Sequence, residues 1–224
     1  MKRPVVCVLM LAVVLLSLGC AEGTRSEPES ERNDALQPAK AVPDYALVGD
    51  LRQGGYVIYF CNAATEPGGA GGPENLGNRE AQRNLSEEGH AQAATIGEAF
   101  RELEIPVGKV LSSPYFRALD TARIAFGRAE PTGELLGLRK NWSVQHPQRQ
   151  ADLLSLLSTP PPKGTNTVLV SHASNAEEYA GIPLEEGEAA VLKPLGDDEF
   201  EFVARITPEE WKELSESMRG DASR

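Results

Sequence analysis

Ser113-Pro114-Tyr115-Phe116-Arg117-Ala118-Leu119-Asp120-Thr121-Ala122 is the stretch from which the fold can be read. It follows Lys109-Val110-Leu111-Ser112, a short β-prone run that ends at Ser113. Pro114 suits the first turn of a helix, where its missing N–H is no loss, and that helix is expected to continue to about Phe126. A strand that hands over directly to a helix is the joint at which open α/β sheets carry their functional groups.

Outward from that joint the chain repeats the alternation. Tyr56-Val57-Ile58-Tyr59-Phe60 is a continuous apolar run, as in a strand buried on both faces. Ser86 precedes a helical stretch to about Leu103, with Ala91, Ala94, Ile96, Phe100 and Leu103 roughly on one face. A further helix is expected from about Pro147 to Leu157, then a strand at Thr167-Val168-Leu169-Val170-Ser171 that ends at His172. Glu188 to Leu195 and Glu199 to Ile206 read as an antiparallel pair turning at Gly196-Asp197-Asp198, and Pro208-Glu209-Glu210-Trp211 opens a terminal helix. This order predicts an α/β fold, a three-layer α/β/α sandwich with a mostly parallel sheet, spanning 45–218. Its strand ends bring Cys61-Asn62-Ala63, Ser113-Pro114-Tyr115 and Ser171-His172-Ala173 together.

The N-terminal residues read as an address. Met1-Lys2-Arg3 is basic, and Val5 to Leu18 is apolar but shorter than the roughly 20 residues a membrane span needs. Ser17-Leu18-Gly19-Cys20 resembles a bacterial lipobox, with Ser17 where the usual Leu stands. Residues 1–19 are therefore expected to be a lipoprotein signal peptide, and Cys20 the lipidated residue. A cleaved signal in a freely secreted protein is the other reading. Residues 20–44 are acidic and polar, as in a flexible tether. The expected place is the bacterial cell envelope, facing periplasm or exterior, with the membrane as partner through the N-terminal lipid.

Composition limits the function classes. Hydrophobic residues make up 41% of the 224, enough for a packed core. With 33 acidic and 22 basic residues the formal charge is -11, which disfavours nucleic acid as a partner. Removal of residues 1–19 takes Lys2 and Arg3, leaving 33 acidic against 20 basic and a charge of -13. Of three cysteines, Cys7 leaves with the signal and Cys20 is acylated, so Cys61 is the one free thiol and no internal disulfide can form.

Over residues 51–207 the chain resembles the histidine phosphatase superfamily, the phosphoglycerate mutase-like proteins. Leu51-Arg52-Gln53-Gly54-Gly55-Tyr56-Val57-Ile58-Tyr59-Phe60 is similar to the strand that delivers the family's Arg-His-Gly or Arg-His-Ala motif. Asn84-Leu85-Ser86-Glu87-Glu88-Gly89 is similar to its Asn-Leu-Thr/Ser-x-x-Gly segment. The stretch from Ser113 to Ala122 matches S-x-x-x-R-A-x-x-T-A at every fixed position, and Val168 to Ala173 resembles the strand bearing the second family histidine. The resemblance implies a phosphoglycerate mutase-like fold and a metal-free, cofactor-free phosphatase pocket. In it a neutral imidazole attacks phosphorus, two arginines and a second histidine hold the phosphoryl oxygens, and an acid protonates the leaving oxygen.

At the centre of that scheme this sequence departs. Cys61-Asn62-Ala63 stands where the family has Arg-His-Ala. The amide nitrogen of Asn62 shares its lone pair with the adjacent carbonyl and cannot accept a phosphoryl group; losing a covalent nucleophile costs on the order of 10⁶ in turnover. Cys61 also removes a guanidinium, a charged partner worth roughly 1.5–3 kcal/mol. Cys61 is not a replacement nucleophile of the Cys-x₅-Arg type, because Pro67 stands six residues on. The glycines at 68–72 lack the Lys-Ser/Thr of a P-loop.

Half a phosphate pocket is left. Arg117 holds an anion at the helix start or makes a surface ion pair; His172 donates to a ligand or is a packed core histidine; Arg83 is a third anion contact or a solvated charge. His90 and His146 suggest no metal site. Ala173 replaces the Asp that follows the second histidine in the acid phosphatase branch, leaving Glu134 as a guess for the acid. The expectation is a membrane-tethered, non-catalytic homologue that binds a phosphorylated small molecule, another anion or a protein partner. A weakly active phosphomonoesterase working through Arg117 and His172, and a structural envelope protein without ligand, are the alternatives.

Overall fold

A computed structural model describes residues 45–69, 73–137 and 147–222. The expected signal peptide, Cys20, the tether and His146 lie outside these residues. Six strands and six helices are described: α1 (Tyr45–Gln53), β1 (Val57–Cys61), α2 (Glu87–Glu102), β2 (Val107–Ser112), α3 (Phe116–Phe126), β3 (Glu130–Pro131), α4 (Pro147–Ser158), β4 (Asn166–Ser171), α5 (Ala173–Ala180), β5 (Ala189–Gly196), β6 (Glu199–Ile206) and α6 (Pro208–Ala222).

They form one sheet in the order β3-β2-β4-β1-β5-β6. Pairing is parallel from β3 through β1 and antiparallel across β5 and β6, so the expected mostly parallel sheet is present. β1 and β4 are buried along their whole length, which is why both read as unbroken apolar runs rather than alternations. Two cores flank the sheet. On one face Ile58, Phe60, Val168 and Val170 pack against α1, α2, α3 and α6 through Leu51, Ile96, Ala122 and Trp211. On the other, Tyr59, Cys61 and Leu169 pack against α4 and α5 through Leu153, Leu157 and Tyr179.

Two local expectations are corrected. Leu51–Gln53, which reads with the first strand, is the last turn of α1: Leu47, Val48 and Leu51 recur at helical spacing and are all buried. Gly54 and Gly55, both at positive φ, then turn the chain into β1. Pro114 lies ahead of α3 rather than in its first turn. Tyr115 is the extended N-cap, and the Gln82 side chain accepts the Phe116 N–H at 2.9 Å.

The register of β1 on β4 builds the site. Cys61 pairs with Ser171, and the Asn62 N–H continues the ladder to the Ser171 carbonyl at 2.9 Å. Asn62 and His172 therefore leave neighbouring strands side by side. α2 approaches α3 closely because position 97 is glycine; a Cβ there would overlap the Ala125 carbonyl oxygen. Alanine is better than glycine in a helix interior by about 1 kcal/mol, but overpacking against backbone costs about 1–3 kcal/mol. Gly97→Ala is therefore expected to lower stability despite the better propensity, read as a fall in the urea midpoint; an unchanged or raised midpoint would contradict this packing.

Candidate functional site

Three backbone joints present the site residues. Asn62 follows β1, Ser113 follows β2 and His172 follows β4, and all three are buried. Thr121 of α3 ties two of these joints together: its hydroxyl donates to the Arg117 carbonyl (2.7 Å) and accepts the Ala63 N–H (3.1 Å). Ser86 caps α2 by accepting the Gly89 N–H (3.1 Å), and Gly89 lets the Ala64 carbonyl rest directly on the helix. The Tyr59 hydroxyl donates to the His172 carbonyl (2.8 Å) and holds that corner from below.

The hydrogen bonds around His172 assign its tautomer. The Asn62 side-chain Nδ2 donates to the Ala63 carbonyl at 3.0 Å, which turns Oδ1 toward His172 Nδ1, also at 3.0 Å. Oδ1 can only accept, so Nδ1 carries the proton. Nε2 keeps its lone pair and accepts from the Ser113 hydroxyl at 2.8 Å. Arg117 Nη2 lies 3.2 Å from Nδ1. A guanidinium only donates, so this contact is two donors side by side rather than a hydrogen bond. Burial first, then the charges of Arg117 and Arg83, hold the His172 pKa well below 6.5, so the ring is neutral at pH 7.

Ser113, His172 and Asn62 have the spacing of a nucleophile, base and orienter. Ser113, however, has no exposed surface, and the Gly137 backbone packs so closely on the imidazole that a Cβ there would lie 2.7 Å from Cδ2. No substrate atom reaches that hydroxyl, so Ser113 is a positioning residue that fixes the ring.

Arg117 is the cation of the pocket. Its guanidinium stacks on the Tyr115 ring with Cζ 4.5 Å from the centroid. Desolvation, then the Arg83 charge, lowers its pKa. Among the described residues no carboxylate lies within ion-pair distance of it, so the surface ion pair is not found, and its buried Nε has no hydrogen-bond partner. The Phe116 N–H at the head of α3, which the sequence offers to an anion, is already taken by Gln82. Arg83 is not a free solvated charge: it pairs with Glu186 at 2.8 Å.

The remaining candidates lie apart from this cluster or are inert. The Cys61 thiol is buried and its pKa is pushed up to about 12, chiefly by desolvation, so it is protonated at neutral pH. Glu134 is exposed and accepts from the Thr132 hydroxyl at 3.3 Å. His90, exposed on α2, contacts the Ser86 carbonyl. Among the described residues no three His, Cys, Asp or Glu gather as metal ligands, and no helix is long and apolar enough to cross a membrane. Sequence reading overlooked Gln82, Ser113 as the ring's partner, and Glu186; only Ser113 had a signal, as a fixed position of the decisive motif.

Residues 74–140 match the histidine phosphatase superfamily (branch 1). That span contains Arg83, Asn84–Gly89 and Ser113–Ala122 and stops short of Asn62 and His172. No curated protein matches the chain. Among solved structures, one described as an alpha-ribazole-5'-P phosphatase from Escherichia coli is similar at 14% identity and TM-score 0.52, covering 68% of this chain and 97% of its own. A phosphoserine phosphatase from Entamoeba histolytica, in complex with 3-phosphoglyceric acid, is similar at 14% identity and TM-score 0.50, covering 70% and 98%. A phosphohistidine phosphatase SixA from Agrobacterium tumefaciens has 19% identity and TM-score 0.49, covering 69% and 98%. At these identities the likeness is one of fold.

The depressed pKa of His172 has a consequence for stability. In the unfolded chain the ring takes a proton as pH falls through about 6.5, while in the fold it resists, so acid favours unfolding. Between pH 6.5 and 5 this group is expected to remove up to about 1.4 kcal/mol per pH unit. Urea titrations should show that slope in the parent and a flatter one in His172→Gln; equal slopes would place the proton elsewhere.

Proposed function

We propose that this chain, which has the histidine phosphatase fold and carries the superfamily's pattern over residues 74–140, is a non-catalytic homologue that binds a phosphorylated or other anionic ligand at Arg117. In this reading Cys20 carries the lipid that tethers it to the cell envelope. One observation carries the ligand: Arg117 is largely desolvated, has an unpartnered buried Nε and lies beside the His172 Nδ1–H. The two donors lie 3.2 Å apart, and the acceptor beside them, Asn62 Oδ1, is given to the His172 Nδ1–H. An anionic oxygen is the group that would satisfy both, and charged hydrogen bonds of this kind are about twice as strong as neutral ones.

The chemistry of the cluster argues against turnover. Asn62 has no nucleophilic lone pair, the His172 lone pair is held by Ser113, and the Cys61 thiol is protonated. Arg117 and the His172 Nδ1–H are donors, not attacking atoms. This is a site for holding an anion.

The purified protein is expected to show no hydrolysis of p-nitrophenyl phosphate above a protein-free blank, and to be stabilised against heat by millimolar phosphate or tungstate. Arg117→Ala should weaken phosphate binding by roughly 10- to 100-fold, the loss of one charged hydrogen-bond partner. Cys61→Arg combined with Asn62→His should create phosphatase activity in a folded protein. Parent turnover that disappears in His172→Ala would instead support the weak phosphomonoesterase, and the lack of any anion response would leave the structural role.

A further inference from the structure

The turn between α5 and β5 brings a carboxylate close to Asn62 and Cys61. The Gly187 N–H donates to the Asn62 carbonyl at 3.0 Å, and the Cys61 N–H donates to the Glu188 carbonyl at 2.9 Å. Residues 187 and 188 thus run beside the two positions where the resemblance expects Arg-His. From that turn the Glu186 side chain reaches over the chain that leaves Asn62. Its Oε2 accepts the Thr65 N–H at 3.0 Å, and its Oε1 accepts both the Thr65 hydroxyl and Arg83 Nη2 at 2.8 Å.

A backbone N–H, a hydroxyl and a guanidinium converging on one pair of anionic oxygens is a donor set that serves a phosphoryl group as well as a carboxylate. These groups also share an electrostatic neighbourhood with the pocket. The Arg83 charge acts on Arg117 and on His172, and the Glu186 charge acts on Arg117 and Cys61. The arrangement is not needed to shape the turn, which backbone hydrogen bonds to Asn62 and Cys61 already hold. Nor is the ion pair a deep one: the Arg83 and Glu186 side chains are 45% and 35% exposed, and such pairs contribute little to stability. Departure of the carboxylate would leave the backbone hydrogen bonds of the turn in place.

We propose that Glu186 is an intramolecular competitor for the anion site: its carboxylate occupies the Thr65 and Arg83 donors, and a phosphoryl ligand seated at Arg117 gains them when Glu186 swings away. This rests on the anion-binding reading of Arg117. It makes Arg83 a conditional anion contact, and it makes the charge of Glu186 a barrier that selects for strongly anionic ligands. A monoanion gains less from Arg117 and Arg83 than a phosphate dianion does, while both meet the same internal rival.

Calorimetric titration of the full chain with inorganic phosphate tests this. Glu186→Gln keeps the size of the side chain and the backbone bonds of its turn while removing the charge. It should tighten phosphate binding by roughly tenfold, the scale on which a neighbouring like charge acts. Arg117→Ala added to it should abolish the gain. Glu186→Ala should tighten binding in the same sense, which keeps the test open should the glutamine variant misfold. If the parent binds phosphate through Arg117 and both Glu186 variants bind it equally or more weakly, the competitor is overturned and the anion site stands. If neither parent nor variants bind phosphate, the anion site is overturned and the competitor falls with it.

Discussion

The imidazole of His172 has two nitrogens and, at neutral pH, one proton, and burial leaves it little water with which to share them. The pocket is arranged around that shortage. Because the Asn62 amide is oriented by the Ala63 carbonyl, its oxygen must accept, and the proton goes to Nδ1. Nε2 must then accept, and Ser113 supplies the hydroxyl. Arg117, 3.2 Å from a nitrogen that already carries hydrogen, has no acceptor there. A histidine at position 62 would change each of these assignments, because imidazole can accept from His172 or donate to it and the amide oxygen can only accept. Asparagine at position 62 thus has a structural consequence of its own. It sets the tautomer of His172 and leaves Arg117 beside a donor rather than an acceptor.

Much of this was legible from the sequence, for a physical reason. β1 and β4 are buried on both faces and so appear as unbroken apolar runs, and their last residues locate the site. The motif from Ser113 to Ala122 is local, and its fixed positions act within one strand-to-helix joint, with Ser113 on the ring, Thr121 on the Ala63 amide and Arg117 in the pocket. What was not legible is long-range and carried by ordinary residue types. Glu186 is one of three glutamates in the turn 185–188, and nothing in its spacing to Arg83 or Thr65 marks it. Gln82 caps a helix 34 residues away, which no capping pattern within the chain announces. The helical turn at Leu51–Gln53 was hidden because three residues cannot show a period, and the glycines after it suited a strand entry as well as a helix end.

The acidic composition takes on a different meaning beside this geometry. With a formal charge of -11 the surface as a whole repels anions, whereas Arg83 and Arg117 lie close enough for each charge to depress the proton affinity of its neighbours. Local cations inside an anionic protein favour a short-range ligand held by contact over one gathered by long-range steering, since the wider field is screened or unfavourable. Glu186 extends the same logic inward. It pairs with Arg83, the cation nearer the solvent, and acts on the more buried Arg117 only through its field.

A pocket that holds nothing and a pocket that holds an anion make different demands on their side chains. Without a ligand, the least costly course is to fill the space with apolar side chains, since a desolvated polar group without a partner costs about 1–3 kcal/mol and a charged one more. The residues of this site follow that course only in part. Cys61 is core, packed with Tyr59 and Leu192 at 2% exposure. Asn62, equally buried, remained polar and fully engaged, with its oxygen on His172 and its nitrogen on Ala63. Arg117 keeps a guanidinium that burial disfavours and that no described carboxylate compensates. A buried polar frame around a desolvated guanidinium is costly unless an acceptor offsets it. An anionic ligand, as proposed for Arg117, would supply that acceptor.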